Sequence, residues 1–198
     1  MKDGTDGSPT PYLSGATENI GLRLKYSDRT AEIASPNGKM FDLTAGYLMH
    51  TGASVSAPFL KASARQTVTV FAKNLVSLSG EASTYFGRDV PDPLRFTLGG
   101  PTRLYASSID EYRGTDVVLG RTMYLRRVAT LPTGLGQGVY LTGGYEVGTV
   151  WSPEQRSILR QDGVAGVLLN TPVGALTIGG AVGDAGRRKV FFTFGKLF

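Results

Sequence analysis

Asn19-Ile20-Gly21-Leu22-Arg23-Leu24-Lys25-Tyr26-Ser27 decides how the rest of the chain is read. Ile20, Leu22, Leu24 and Tyr26 alternate with Gly21, Arg23, Lys25 and Ser27. A period of two puts apolar groups on one face of an extended segment and charges on the other. Upstream, residues 1–18 carry Gly4, Gly7, Pro9, Pro11 and Gly15 and read as an irregular leader. Downstream, Ser27-Asp28-Arg29 turns the chain, a short strand is expected over 30–35, and Pro36-Asn37-Gly38 is a strong turn signal. Phe41, Leu43, Ala45, Tyr47 and Met49 then repeat the two-faced pattern against Asp42, Thr44, Gly46, Leu48 and His50.

Further strands are expected over 55–64, 67–75 and 79–86, and Pro91-Asp92-Pro93 forces a break before Leu94, Phe96 and Leu98. A long connection follows over 99–115. After it come five strands, at 116–130, 136–150, 161–171, 174–183 and 188–198. Val139, Leu141, Tyr145, Val147 and Trp151 share one face, opposite Thr142, Gly144, Glu146 and Gly148. Connectors 131–135 and 171–174 read as short, and 152–160 and 184–187 as longer and polar. That alternation matches outer-membrane barrels with short periplasmic turns and longer outer loops.

Composition agrees with strands and turns. The chain has 198 residues with 27 glycines, 9 tyrosines, 9 phenylalanines and no cysteine. Its apolar runs fall short of the roughly 18–20 residues a membrane helix needs. Mean hydropathy is −0.06, as expected for strands of about 9–11 residues that are apolar on one side only. The Met1 segment lacks the basic start and apolar core of a secretory signal, so an exported protein would be represented here by a mature piece or a fragment. The net charge of +5 comes from Arg and Lys scattered along the strands. That distribution suits a basic lumen or lipopolysaccharide phosphates, and nucleic acid is not expected.

The chain ends Val190-Phe191-Phe192-Thr193-Phe194-Gly195-Lys196-Leu197-Phe198. Phe192, Phe194, Gly195 and the terminal Phe198 resemble the signal that outer-membrane barrels present to their assembly machinery. A second resemblance runs through the C-terminal half. Leu98-Gly99-Gly100, Leu104, Tyr112-Arg113-Gly114, Leu119-Gly120-Arg121, Tyr124-Leu125-Arg126-Arg127, Glu146 to Trp151 and Thr171-Pro172-Val173-Gly174 follow one another in order. Over about 94–198 this resembles the C-terminal barrel of patatin-like phospholipases of the type V secretion class, within the BamA surface-antigen superfamily.

The resemblance implies that the 99–115 connection folds back into the barrel lumen, with its tip at Leu104, Tyr105, Ala106 and Ser107. The family's tip usually carries an Arg-Gly-aromatic or Ser-Gly-Tyr motif. Here it reads Tyr105-Ala106-Ser107, which leaves Arg103 and Arg113 as the candidates to latch the loop. A sixteen-stranded parent barrel is also implied, of which seven strands before the loop and five after it would make about twelve.

Enzymatic readings of this chain are weak. Gly52-Ala53-Ser54-Val55-Ser56 lacks the second glycine of a nucleophile elbow and has no helix to follow. His50 is the only histidine, too few for a metal cluster or a histidine relay. Gly134-Leu135-Gly136-Gln137-Gly138 is a turn, and Asp110 and Glu111 beside Arg113 are ion-pair formers of the loop.

The expectation is therefore an all-β, antiparallel transmembrane barrel portion over 19–198 in the cell outer membrane. It would anchor, and help secrete or display, an N-terminal patatin-like passenger, with neither catalysis nor a cofactor of its own. Expected partners are outer-membrane lipid, lipopolysaccharide and the assembly machinery, with a homodimer allowed. The rivals are a BamA- or TamA-like assembly or translocation barrel, and a soluble β-sandwich or lipocalin-type binding protein with its apolar faces turned inward.

Overall fold

The computed structural model describes residues 15–28, 37–52, 55–71, 74–132, 136 and 138–195. They are all β, with two single-turn 3-10 segments as the only helical pieces among them. Nine strands form one antiparallel sheet: β1 (Thr17–Asp28), β2 (Lys39–His50), β3 (Val55–Val70), β4 (Asn74–Thr84), β7 (Asp116–Ala129), β8 (Gly138–Ser152), β9 (Gln155–Thr171), β10 (Gly174–Gly183) and β11 (Arg188–Gly195). Each strand pairs with its neighbour in sequence, except that β4 pairs with β7. The chain between these two carries a separate small hairpin, β5 (Phe96–Leu98) with β6 (Tyr112–Gly114). Among the described residues β1 and β11 are paired on one side only, so the sheet is open.

Alternation fixes the two faces. The register places Ile20 opposite Tyr47, Leu24 opposite Leu43 and Tyr26 opposite Phe41 on one face. Across β9 to β11 the same face holds the rows Val167, Ile178, Phe192 and Leu169, Leu176, Phe194. The other face carries the segment between β4 and β7. The Tyr105 ring of that segment lies 4.5 Å from the ring of Phe191 on β11, and Arg121 on β7 stands 5.9 Å from it. In a flat sheet those strands, four places apart, would be about 19 Å apart. The sheet therefore curls around the tip of the segment, and its core sits on this inner face.

Three expectations change. Segments 55–64 and 67–75 are one strand, β3, because Arg65 and Gln66 keep pairing, with Met40 and Lys39 on one side and Ser79 and Leu78 on the other. The turn comes later, at Phe71, whose φ of 51° lies in the left-handed region, a backbone conformation found in turns and not in strands.

 The 152–160 connector is a tight hairpin over Pro153 and Glu154, because the polar run from Gln155 continues the ladder against Val150 and Ser152. Only the connection over 85–115 is then long at that end of the sheet. Leu94 to Leu98 leave the main sheet for the small hairpin, so nine sheet strands are described where about twelve were expected. The strand expected over 30–35, most of the 1–18 leader, Ser54, Gly134 and Phe198 lie outside the described residues.

Candidate functional site: the inserted segment and its charged anchor

Leu98, Gly99 and Gly100 bend the chain onto the inner face. Gly99 has φ 123°, and a Cβ there would lie 2.4 Å from the Ser108 carbonyl oxygen, so only glycine lets the two arms of the segment come together. Leu98, Leu104, Tyr112, Val117, Leu119 and Val150 pack into one buried cluster. Gly148 on β8 leaves the room for it, since a Cβ at that position would stand 2.9 Å from Leu98 Cδ2.

The tip is held by charge. Arg121, Glu146 and Asp162 are direct cross-strand partners on β7, β8 and β9, so alternation puts all three on the inner face in one row. The Tyr105 amide donates to Glu146 Oε2 at 3.1 Å, and the Ala106 amide donates to Asp162 Oδ2 at 2.7 Å. Arg121 pairs with Glu146 and donates to the Thr102 carbonyl oxygen. Lys189 Nζ on β11 reaches the Ser107 carbonyl oxygen at 2.5 Å. Glu146 is fully buried, and the Arg121 side chain is 4% exposed. Each of these bonds ties a backbone group of the segment to a side chain of the wall.

A second group closes the arms. Glu111 accepts from the Ser108 amide at 2.7 Å and pairs with Arg187 at 2.6 Å. The Tyr112 hydroxyl accepts from Arg160 Nε at 3.0 Å and from Arg187. Burial opposes ionisation of Glu111, but the Ser108 amide and Arg187 outweigh it and hold this carboxyl below its usual range. The same hydrogen bond to Glu111 holds the Arg187 guanidinium above its ordinary value.

The two arginines expected to latch the loop behave differently from the tip. Arg103 crosses to Glu81 on β4 at 2.7 Å and donates to the Thr97 carbonyl oxygen, at the partly exposed flank of the segment. Arg113 donates to the Asp92 carbonyl oxygen at 3.4 Å, away from the wall. Sequence reasoning placed Glu146 on the inner face but missed Asp162, Arg121 and Lys189 as partners of the tip. Their one signal was a charge at an inner position of a strand.

No family model and no curated protein matches the chain.

His50 is buried at the end of β2, with Nδ1 2.9 Å from Thr17 Oγ1. Asp110 lies at a turn with φ 52°. Among the described residues there is no cluster of three or more acidic or histidine side chains arranged to hold a metal. Phe192 and Phe194 stand exposed on the outer face of β11, and Gly195 ends that strand with φ 109°. What the arrangement does chemically is positional: buried carboxylates fix a segment by its backbone amides.

Proposed function

We propose that the chain is the membrane-embedded portion of a bacterial outer-membrane β-barrel, with the segment over 99–115 fixed inside the lumen. One observation carries this reading: the face of the sheet turned away from that segment is apolar and exposed. Leu22 is 85% exposed, Phe192 65% and Ile178 52%. Ionisable side chains on this face, at Glu18, Asp28, Lys39, Asp116, Arg126 and Arg188, stand at or near strand ends. The charges in the middle of the strands, among them Arg23, Asp42, Lys61, Arg65, Glu81, Arg121, Glu146 and Asp162, occupy the other face. A protein surrounded by water places its apolar side chains the opposite way. A soluble lipocalin-type barrel would turn this set inward, and the packing of the inserted segment on the charged face weighs against it.

Together with the motif resemblance over 94–198, this supports a surface-antigen barrel that anchors, and serves to secrete or display, an N-terminal patatin-like passenger. Lipid, lipopolysaccharide and the assembly machinery are its partners in this reading. The test is quenching by brominated phospholipid of a fluorophore placed by cysteine labelling at Leu22, Ile178 or Phe192, compared with Arg23 or Thr177. Strong quenching at the first three alone is expected. Equal quenching at both sets would overturn the membrane assignment.

A further inference from the structure

We propose that the cavity between β1–β4 and the segment around Leu94 to Thr97 is a binding site for an organic anion with an apolar body. Its volume is about 790 Å³, within the roughly 300–1,000 Å³ usual for small-ligand sites. The walls divide by chemistry. Phe59, Tyr85 and Phe96 form a continuous aromatic side, with Tyr85 and Phe96 stacked at 4.3 Å and Phe59 edge-on to Tyr85 at 6.5 Å. Arg23, Lys61, Arg95 and Arg103 supply four cations, against Asp42 and Glu81 among the lining residues.

The cations are not equivalent. Arg23 is matched by Asp42, Arg103 by Glu81, and Arg95 by Asp89 and Asp92. Lys61 makes no ion pair among the described residues, and its ammonium instead stands 5.5 Å from the Phe59 ring centroid and 5.4 Å from that of Phe96. The rings orient the ammonium from below without neutralising it. A carboxylate or phosphate monoester on an aromatic or aliphatic body meets both demands, with its charge on Lys61 and its body along Phe96 and Tyr85. The inference does not rest on the membrane reading, because the cavity is defined by the described strands and segment whatever surrounds the outer face.

The probe is phenyl phosphate, measured by equilibrium dialysis against the full chain in neutral maltoside micelles, with inorganic phosphate and benzyl alcohol as the two half-ligands. Wild type and Lys25→Met, which removes a charge from the same face of the sheet outside the cavity, should saturate with the same Kd. Lys61→Met should weaken phenyl phosphate about tenfold or more, the usual worth of a hydrogen bond to a charged group. Lys61→Arg should retain binding. Each half-ligand should bind at least about tenfold more weakly than phenyl phosphate. Phe96→Leu, which leaves every charge in place, should also weaken phenyl phosphate and serves as the readout if Lys61→Met does not fold. No saturation by wild type, unchanged binding in Lys61→Met or Phe96→Leu, or inorganic phosphate binding as tightly as phenyl phosphate would each overturn the site.

Discussion

Glu146 accepts from the Tyr105 amide and from Arg121 at once, and the Glu146 and Arg121 side chains are both buried. Removing its charge weakens the hold on both the buried Arg121 guanidinium and the Tyr105 amide. Glu146→Gln should therefore destabilise the fold by about 3–5 kcal/mol, the usual cost of breaking a buried pair from one side. Guanidinium-induced unfolding measures it, and trypsin cleavage after Arg103 in the native state should accelerate as the tip loosens. Arg121→Met combined with Glu146→Gln should cost less than the sum of the two single changes, because the second removes the charge that the first leaves stranded. Glu111 sets a dependence on pH. Its folded-state pKa lies below the ordinary value of 4.5, so its contribution is present above that value and is lost as the pH falls through the depressed one. Thermal midpoints of wild type and Glu111→Gln should differ near neutral pH and converge in acid. A difference that persisted unchanged into strong acid would assign the effect to packing and not to charge.

At the scale of strands, the two faces of β10 give a direct comparison between adjacent residues. Ile178 faces outward and Thr177 inward. Ile178→Arg should cost about 2–4 kcal/mol if it lies near the middle of a bilayer, and Thr177→Arg should lack that penalty while perturbing the packed inner face. Refolding into lipid vesicles over a denaturant series separates the two. Much of this was legible in the sequence. Alternation in residues 20–26 and 41–49 gives the faces of β1 and β2 directly. It fails at Ser63-Ala64-Arg65-Gln66, where the run looks like a break and yet the ladder to Met40 and Ser79 is continuous. The polar start of β9 was likewise unreadable, since a strand that extends beyond an apolar band has no alternation to show. Partners of the inserted tip were hidden for a different reason. Tyr105 and Glu146 are 41 positions apart and Ala106 and Asp162 are 56 apart, and only the relative shift of the strands brings them to one level.

For the molecule as a whole, the unpaired edges dominate. Every residue of β1 is exposed, on both faces, and among the described residues no strand pairs with its outer edge, whose backbone groups lipid could not solvate. In a membrane this sheet is expected to complete its pairing with further strands. The C-terminal residues, which resemble an assembly signal, offer a test. Deleting Phe198 in the full-length gene should lower outer-membrane insertion and raise periplasmic degradation, with Leu197→Ala as the control, while barely moving the melting temperature of the molecules that do insert. The deficit is one of rate, since a waiting edge is open to aggregation and proteolysis. Equal insertion of all three proteins, read by fractionation and heat-modifiable gel mobility, would deny the terminal aromatic any part in assembly.

The row of Arg121, Glu146 and Asp162 has a bearing on how neighbouring strands find one another. If β9 slid along β8 by two residues, every outward side chain would still point outward, and the alternation of apolar and polar faces would not reveal the error. Asp162 would nevertheless travel about 6.6–6.8 Å, far beyond reach of the Ala106 amide, and Arg121, Glu146 and Asp162 would no longer stand abreast. The inserted tip thus acts as a gauge that accepts one alignment of β7, β8 and β9 and rejects misalignments that hydrophobicity alone would pass.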